Sequence, residues 1–195
     1  MNRRNLTLIA ACVLGGVILA GLSWQAGRAN HGDSAYPGGA FQLVDQMGRP
    51  ATEKILKGKW SAVFFGYTYC PDVCPTTMAA LAQAQDRLGP KAKDLQVVFI
   101  TVDPERDTPA QLKNYLSNDA FPKGAIGLTG APQQVAVAAK AYRAFYEKAG
   151  SGSDYTMNHS TPTYLMDPKG RFAKVLPYGI NPDEIAKQIS GAMGR

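Results

Sequence analysis

Strand-like and helix-like patterns alternate along most of the chain. Residues 59–66 and 95–102 are almost continuously apolar, which is typical of parallel strands covered on both faces. A segment with helical features follows each of them, at 76–88 and 109–117. The other predicted elements are a hairpin at 41–45 and 51–55, a strand at 125–128, a helix at 133–148, a hairpin at 163–166 and 172–176, and a helix at 181–193. This alternation predicts an α/β fold with an N-terminal hairpin extension.

An uncharged apolar segment lies near the N-terminus. Residues 6–24 are 19 residues without a charge, close to the roughly 20 that cross a bilayer as a helix. Arg3 and Arg4 precede it, so the domain should face the periplasmic, extracytoplasmic side. A cleaved signal peptide is the alternative, although no good cleavage motif follows. We therefore expect a single-pass membrane anchor at 1–26, a flexible tether at 27–39 and one domain at 40–195.

The charge of the chain argues against a nucleic-acid partner. The formal net charge is +6, but the first 29 residues hold three arginines and no acid. The rest of the chain therefore has 18 basic and 15 acidic residues, a net charge of +3. No basic stripe of the kind that binds nucleic acid is present.

Two cysteines, Cys70 and Cys74, stand just after the first buried strand. Ligands of open α/β sheets bind at this carboxyl end of the strands. Pro71 and Pro75 indicate a loop and the first turn of a helix, whose positive end favours the thiolate form of both sulfurs. A spacing of four residues places two side chains on one helical face. The pair is therefore a candidate site for a soft metal ion, such as Cu(I) or zinc, or for redox chemistry.

An imidazole is the expected third ligand, and the chain has two histidines. His31 lies in the predicted tether. His159 directly precedes another predicted strand, whose edge should meet the same end of the sheet, so we select His159. The third cysteine, Cys12, lies inside the apolar N-terminal segment and is interpreted as a small apolar side chain.

A structural disulfide between Cys70 and Cys74 is the simplest alternative, because extracytoplasmic compartments are oxidising. Such a bridge would close a very short loop, and the stabilisation that a disulfide provides grows with loop length. A lone histidine such as His159 is also, in general, more often a surface residue than a ligand. The metal-site hypothesis therefore depends on the predicted proximity of His159 to the two cysteines.

Three segments resemble the Sco family of copper metallochaperones: GYTYCPDVCP at 66–75, VDPERDTP at 102–109, and the His159 segment followed by YLMDPKGRF. The resemblance runs from about residue 41 to the C-terminus. It implies a thioredoxin-like fold, copper as Cu(I) or Cu(II), and Cys70, Cys74 and His159 as its ligands. It also implies delivery of copper to the dinuclear CuA centre of cytochrome c oxidase. The expected partners are the oxidase subunit that carries this centre, and a second periplasmic copper chaperone or a thiol reductant.

Two positions depart from the family pattern. Asn158 stands where many relatives have an aspartate, which removes a carboxylate partner for the histidine. The segment 161–163, Thr-Pro-Thr, resembles the loop of thioredoxins in which a cis proline faces the redox cysteines. This second departure favours the alternative of a thiol–disulfide oxidoreductase, in which Cys70 attacks and Cys74 resolves.

A peroxidase is a third alternative, because the sequence 74–76 resembles a peroxiredoxin loop. That family has a threonine three residues before its reactive cysteine, where this chain has Pro71. We therefore reject this interpretation.

Two further segments bear on the site. The polar side chains at 103–107 are either partners near the cysteines or part of a solvated turn. The loop at 150–154 should be flexible, which would let His159 swing away from the cysteines during metal transfer.

Overall fold

The computed structural model describes residues 35–194. Within this range the strands are β1 (Gln42–Asp45), β2 (Pro50–Thr52), β3 (Trp60–Gly66), β4 (Leu95–Thr101), β5 (Ile126–Thr129), β6 (Tyr146–Ala149), β7 (Thr156–His159), β8 (Thr163–Met166) and β9 (Phe172–Leu176). The α-helices are α1 (Val73–Leu88), α2 (Pro109–Leu116), α3 (Pro132–Tyr142) and α4 (Pro182–Met193). Short 3₁₀ helices span Glu53–Leu56 and Gly89–Asp94.

Seven strands form one mixed sheet in the order β2-β1-β5-β4-β3-β8-β9. The central strands β3, β4 and β5 are parallel, whereas β8 is antiparallel to β3 and β9 is antiparallel to β8. The beginning of β8 therefore lies at the carboxyl end of β3. The strands β6 and β7 pair with each other in a separate two-stranded sheet.

The core is centred on β3 and β4, which are buried along both faces as predicted for parallel strands. Val63, Phe64 and Phe65 have no exposed surface, and neither do Phe99 and Ile100 of the neighbouring strand. Burial on both faces is what the continuous apolar runs require, since each side chain must be removed from water. The prediction of a mixed α/β, thioredoxin-like fold is confirmed.

Capping residues set several boundaries as the sequence predicts. The Thr108 hydroxyl accepts a hydrogen bond from the backbone N–H of Gln111 at 3.2 Å, and α2 begins at the following proline. Asn181 caps α4 through a 2.8 Å bond from the N–H of Glu184. Side-chain oxygens at these positions satisfy N–H groups that have no partner within a helix.

The predicted helix at 133–148 is too long, because α3 ends at Tyr142. Arg143 adopts a left-handed conformation with φ of +55°, and the N–H of Ala144 bonds back to the carbonyl of Ala139 at 2.9 Å. This cap ends the helix. The chain then forms β6, so Tyr146, which the helical pattern included, lies on a strand.

The first hairpin also differs from the prediction after its turn. The second strand ends at Thr52, and the residues predicted as its continuation form a 3₁₀ helix capped by the Thr52 hydroxyl. The turn itself is held by Asp45, whose carboxylate accepts 2.9 Å bonds from the N–H groups of Met47 and Arg49.

The predicted anchor at 1–26, Cys12, His31 and most of the tether lie outside the described residues. No helix within residues 35–194 combines the length and the apolar character that a bilayer crossing requires. The last part of the predicted tether contacts the domain: Gly38 donates a 2.9 Å hydrogen bond to the carbonyl of Ala141, and Tyr36 stacks on Phe172.

Candidate metal centre

The loop between β3 and α1 holds both cysteines. Cys70 donates a backbone hydrogen bond to the carbonyl of Tyr67 at 3.3 Å, which folds the loop after the strand. The helix begins three residues earlier than predicted, at Val73, so Cys74 lies in its first turn. Pro75 is tolerated there because the first N–H groups of a helix have no intrahelical acceptor.

The two sulfurs differ in exposure. Cys74 is fully buried, whereas Cys70 is partly exposed, and both are free thiols. Glycine at position 66 makes the burial of Cys74 feasible, because a Cβ built there would lie 2.8 Å from the Cys74 sulfur. The first turn of α1 therefore packs directly against the end of β3.

His159 lies beside the pair, as the sequence predicts. Its Nε2 is 3.5 Å from the Cys74 sulfur, and the ligand atoms of Cys70, Cys74 and His159 all lie within 4.8 Å of one another. The topology explains this proximity, because His159 ends β7 just before β8, which starts beside the carboxyl end of β3. The three side chains could hold one metal ion.

The histidine stands on a paired strand and not on the loop at 150–154 that was expected to move it. His159 pairs with Tyr146 of β6, and the backbone of Ser160 bonds to that of Phe145 at 2.9 Å. A β-ladder fixes the backbone of the ligand residue. The swing of the imidazole that the sequence suggested is therefore opposed by the strand pairing.

A hydrogen bond also selects the tautomer of the imidazole. The Nδ1 of His159 is 2.9 Å from the carbonyl oxygen of Ser160, which can only accept, so Nδ1 carries the proton. In the neutral ring this leaves a lone pair on Nε2, the atom that faces Cys74. The rings of Phe64 and Tyr67 pack edge-on against the imidazole, with centroids 6.1 and 5.8 Å away.

The two thiols have opposite pKa shifts. A side-chain hydrogen bond from Cys74 lowers the pKa of Cys70 well below its ordinary value, and a smaller contribution comes from His159. The same bond raises the pKa of Cys74, and burial and the negative charges of Cys70 and Asp107 act in the same direction. Cys70 is therefore the thiolate of the pair at neutral pH.

Asp107 organises the loop that leads to the cysteines. Its buried carboxylate accepts bonds from the N–H and the hydroxyl of Thr68, at 3.0 and 2.7 Å, and from the hydroxyl of Thr101 at 2.6 Å. Burial is the largest influence on this carboxyl and raises its pKa. The interpretation of 103–107 as a solvated turn is therefore wrong for Asp107, and equally for Asp103, which is 2% exposed.

The other sequence positions singled out near the site contribute less. Glu105 is exposed and pairs with Lys148 at 3.2 Å. Asn158 is exposed and faces Glu147 across the β6–β7 ladder. The described residues contain no cis peptide bond, so the resemblance of 161–163 to a cis-proline loop is not borne out.

These features define a class: a thioredoxin-like domain with two thiols and an imidazole at the carboxyl end of its central strand, within bonding range of one ion. A family model for SCO1/SenC matches residues 29–194. The chain belongs to the SCO1/SenC family.

Individual relatives agree with this assignment. The mitochondrial protein SCO1 homolog 1 of Arabidopsis thaliana is 43% identical over 148 residues, which are 75% of this chain and 43% of that protein. The structure of Bradyrhizobium japonicum ScoI with copper bound is 43% identical and covers 80% of this chain and 99% of that one, with a TM-score of 0.73. The structure of BsSco is 26% identical and covers 80% of this chain and 93% of that one, with a TM-score of 0.65. BsSco has a disulfide switch and belongs to the Sco family of cytochrome c oxidase assembly proteins.

Proposed function

We propose that this protein binds copper through Cys70, Cys74 and His159 and delivers it to the CuA centre during the assembly of cytochrome c oxidase. The observation that carries the proposal is the cluster of three ligand atoms within 4.8 Å. Binding of the metal would displace the proton of Cys74. Two thiolates then select a soft ion such as Cu(I), and imidazole suits copper as well as zinc. The copper-bound relative from Bradyrhizobium favours copper over zinc.

Three ligands leave room for a fourth, so a thiolate or imidazole of the acceptor can bind copper before a donor ligand leaves. The acceptor's ligand should approach from the side of Cys70, because Cys70 is partly exposed whereas Cys74 is buried. Transfer then proceeds by exchange of one ligand at a time. The copper is never released into water.

We further propose that residues 1–26 anchor the protein and that the domain lies on the periplasmic side. The uncharged segment 6–24 and the preceding Arg3 and Arg4 support this orientation. Anchoring would keep the carrier in the membrane that contains the oxidase. Cysteine accessibility to a membrane-impermeant reagent in intact cells tests the location, and labelling only after lysis would contradict it.

The ligand role of His159 is tested by comparing His159→Ala with His31→Ala, which removes the other histidine. The affinity for Cu(I) is measured by competition with a chelator, and nitrogen ligation of Cu(II) by electron paramagnetic resonance. We expect His159→Ala to lose at least about 10-fold in affinity, since even indirect partners of a metal ligand are worth that much. Equal affinity and equal nitrogen coupling in the two variants would remove His159 from the site.

A thiol–disulfide oxidoreductase is the second candidate, favoured by the low pKa of Cys70 and by the free thiol of Cys74 beside it. The Cys70 thiolate would attack a target disulfide to form a mixed disulfide and release one target thiolate. Cys74, after losing its proton, would displace the second, leaving the target reduced and the Cys70–Cys74 pair oxidised. A thiol reductant must then restore the pair.

Two variants separate the candidates when an oxidised, copper-free CuA fragment is the substrate. A reductase should leave a trapped mixed disulfide in Cys74→Ser and should retain its activity in His159→Ala. A pure copper carrier should not reduce the fragment, either as wild type or as a variant. Its transfer of copper should fail in both Cys74→Ser and His159→Ala.

A further inference from the structure

Arg106 occupies the junction between the two chain segments that supply the site. It follows β4, and its Nε lies 2.5 Å from the Asp103 carboxylate. Its Nη1 donates to the backbone carbonyl of Tyr155 at 3.0 Å. Tyr155 directly precedes β7, the strand that ends at His159. One guanidinium therefore links the β4–α2 segment to the residue before β7, the strand that ends at His159.

Tyr155 also contacts Asp103 and Arg106 through its side chain. The Tyr155 hydroxyl donates to the other oxygen of Asp103 at 2.7 Å, and the guanidinium carbon lies 3.6 Å from the centroid of the Tyr155 ring. Asp103 and Tyr155 are 2% and 7% exposed. The ammonium of Lys148 lies 3.7 Å from the same centroid, so the two cations occupy opposite faces of the ring. Charge-assisted bonds shielded from water in this way hold their partners in one geometry.

Arg106 also contacts the loop that leads to the cysteines. Its guanidinium carbon is 4.7 Å from the ring centroid of Tyr69 and 5.8 Å from that of Tyr67. Tyr69 immediately precedes Cys70, and the Tyr67 ring packs against the imidazole of His159. The same side chain thus touches both halves of the site.

The β6–β7 hairpin is not part of the seven-stranded sheet, so side-chain contacts and the packing of Tyr155 and Met157 in the core attach it to the domain. Its two strands bond to each other, and the bonds between Phe145 and Ser160 close the hairpin without attaching it to the sheet. The pair between Lys148 and Glu105 lies at the surface, where ion pairs contribute little. Arg106 and Asp103 supply a buried polar attachment, in addition to the hydrogen bond between Tyr67 and the backbone of Met157 in β7.

We propose that Arg106 is a positioning residue for His159: it fastens the β6–β7 hairpin to the β4–α2 segment and so sets the distance between the imidazole and the two sulfurs. Arginine suits this task because separate nitrogens of its rigid, planar guanidinium donate to the carboxylate and to the carbonyl, whereas all the donors of lysine are on one nitrogen. The expected effect on copper affinity rests on the proposed function. The expected effect on the position of His159 does not depend on that function.

The test compares Arg106→Met and Arg106→Lys with Arg49→Met, all in the full chain. Arg49 is the control for loss of an arginine–aspartate pair away from the site, since it pairs with Asp45 in the β1–β2 turn and its side chain is exposed. The substitution His31→Gln in every protein leaves His159 as the single histidine, so its imidazole signals are unambiguous. The metal-free readouts are the ¹⁵N shifts of the imidazole and the hydrogen exchange of the β7 amides.

In Arg106→Met we expect the β7 amides to exchange at least 10-fold faster, relative to those of β3, and the Nδ1-protonated signature of His159 to weaken. Arg106→Lys should fall between this variant and wild type, because it keeps the charge that faces Asp103. Arg49→Met should leave both readouts unchanged. In the presence of Cu(I), the affinity should fall about 10- to 100-fold in Arg106→Met.

A folded Arg106→Met with wild-type β7 exchange and imidazole shifts overturns the proposal. If this variant does not fold, Tyr155→Phe decides in its place, because it removes only the hydroxyl that binds Asp103: faster β7 exchange supports the proposal and unchanged exchange overturns it. If wild type binds no copper, the proposed function fails. The metal-free readouts still decide the role of Arg106.

Discussion

Gly66→Ala tests the close approach of α1 to β3, on which the position of Cys74 depends. A Cβ at this position would lie 2.8 Å from the Cys74 sulfur, 2.9 Å from Cε1 of Phe64 and 3.0 Å from Cε2 of Phe99. All three side chains are fully buried, so none can move into solvent. The added methyl group must therefore displace the sulfur or the aromatic rings.

The expected cost follows from overpacking. Adding a methyl group to a filled core costs about 1–3 kcal/mol, and replacing glycine by alanine returns roughly 0.5–1 kcal/mol of backbone entropy. The net loss in the free energy of unfolding should thus be about 0–2.5 kcal/mol, with the middle of the two ranges giving about 1 kcal/mol. Any shift of the Cys74 sulfur also changes its 3.5 Å separation from the imidazole, so Cu(I) affinity should fall as well.

Urea unfolding followed by far-UV circular dichroism measures the change in stability. Gly191→Ala is the matched control, because a Cβ there meets no atom within 4 Å and the residue lies inside α4. It should raise stability by about 0.5–1 kcal/mol. A Gly66→Ala protein as stable as Gly191→Ala would refute the packing argument.

Two further predictions concern the titrating groups. Iodoacetamide at pH 6 should modify Cys70 and spare Cys74, because the pKa of Cys70 is lowered whereas Cys74 is buried with a raised pKa; equal labelling of both by peptide mass would contradict this. Burial raises the pKa of Asp107 above its usual 3.8, so its contribution to stability is complete below that value and is lost as the pH rises through the folded-state pKa. Asp107→Asn does not titrate, so wild type should lose stability relative to it between pH 4 and pH 7 in urea unfolding; a constant or growing wild-type advantage would contradict this.

The elements with strong local signals were predictable from the sequence. The apolar runs of β3 and β4 and the caps at Thr108 and Asn181 gave boundaries within a residue or two. The end of α3 was not predictable, because Arg143 adopts a left-handed conformation for which glycine is the usual signal. Pro75 suggested a later start for α1, since proline is common at the first helical position but is tolerated throughout the first turn.

The central residues of the site were predictable because their types are rare. The chain has three cysteines and two histidines, so few combinations could form a cluster. The residues that position the ligands were not predictable, because their contacts join distant parts of the sequence. Asp107 bonds to Thr68, 39 positions away, and Arg106 bonds to Tyr155, 49 positions away. Aspartate and arginine are common at surfaces, and only the fold reveals that these are enclosed.

The separation of 85 positions between Cys74 and His159 also imposes an order in time. During synthesis at about 5–20 residues per second, the thiols leave the ribosome roughly 4–17 s before the imidazole. Throughout that interval the nascent polypeptide carries Cys70 and Cys74 without His159. A metal ion can therefore be bound by all three donors only after His159 has been synthesised.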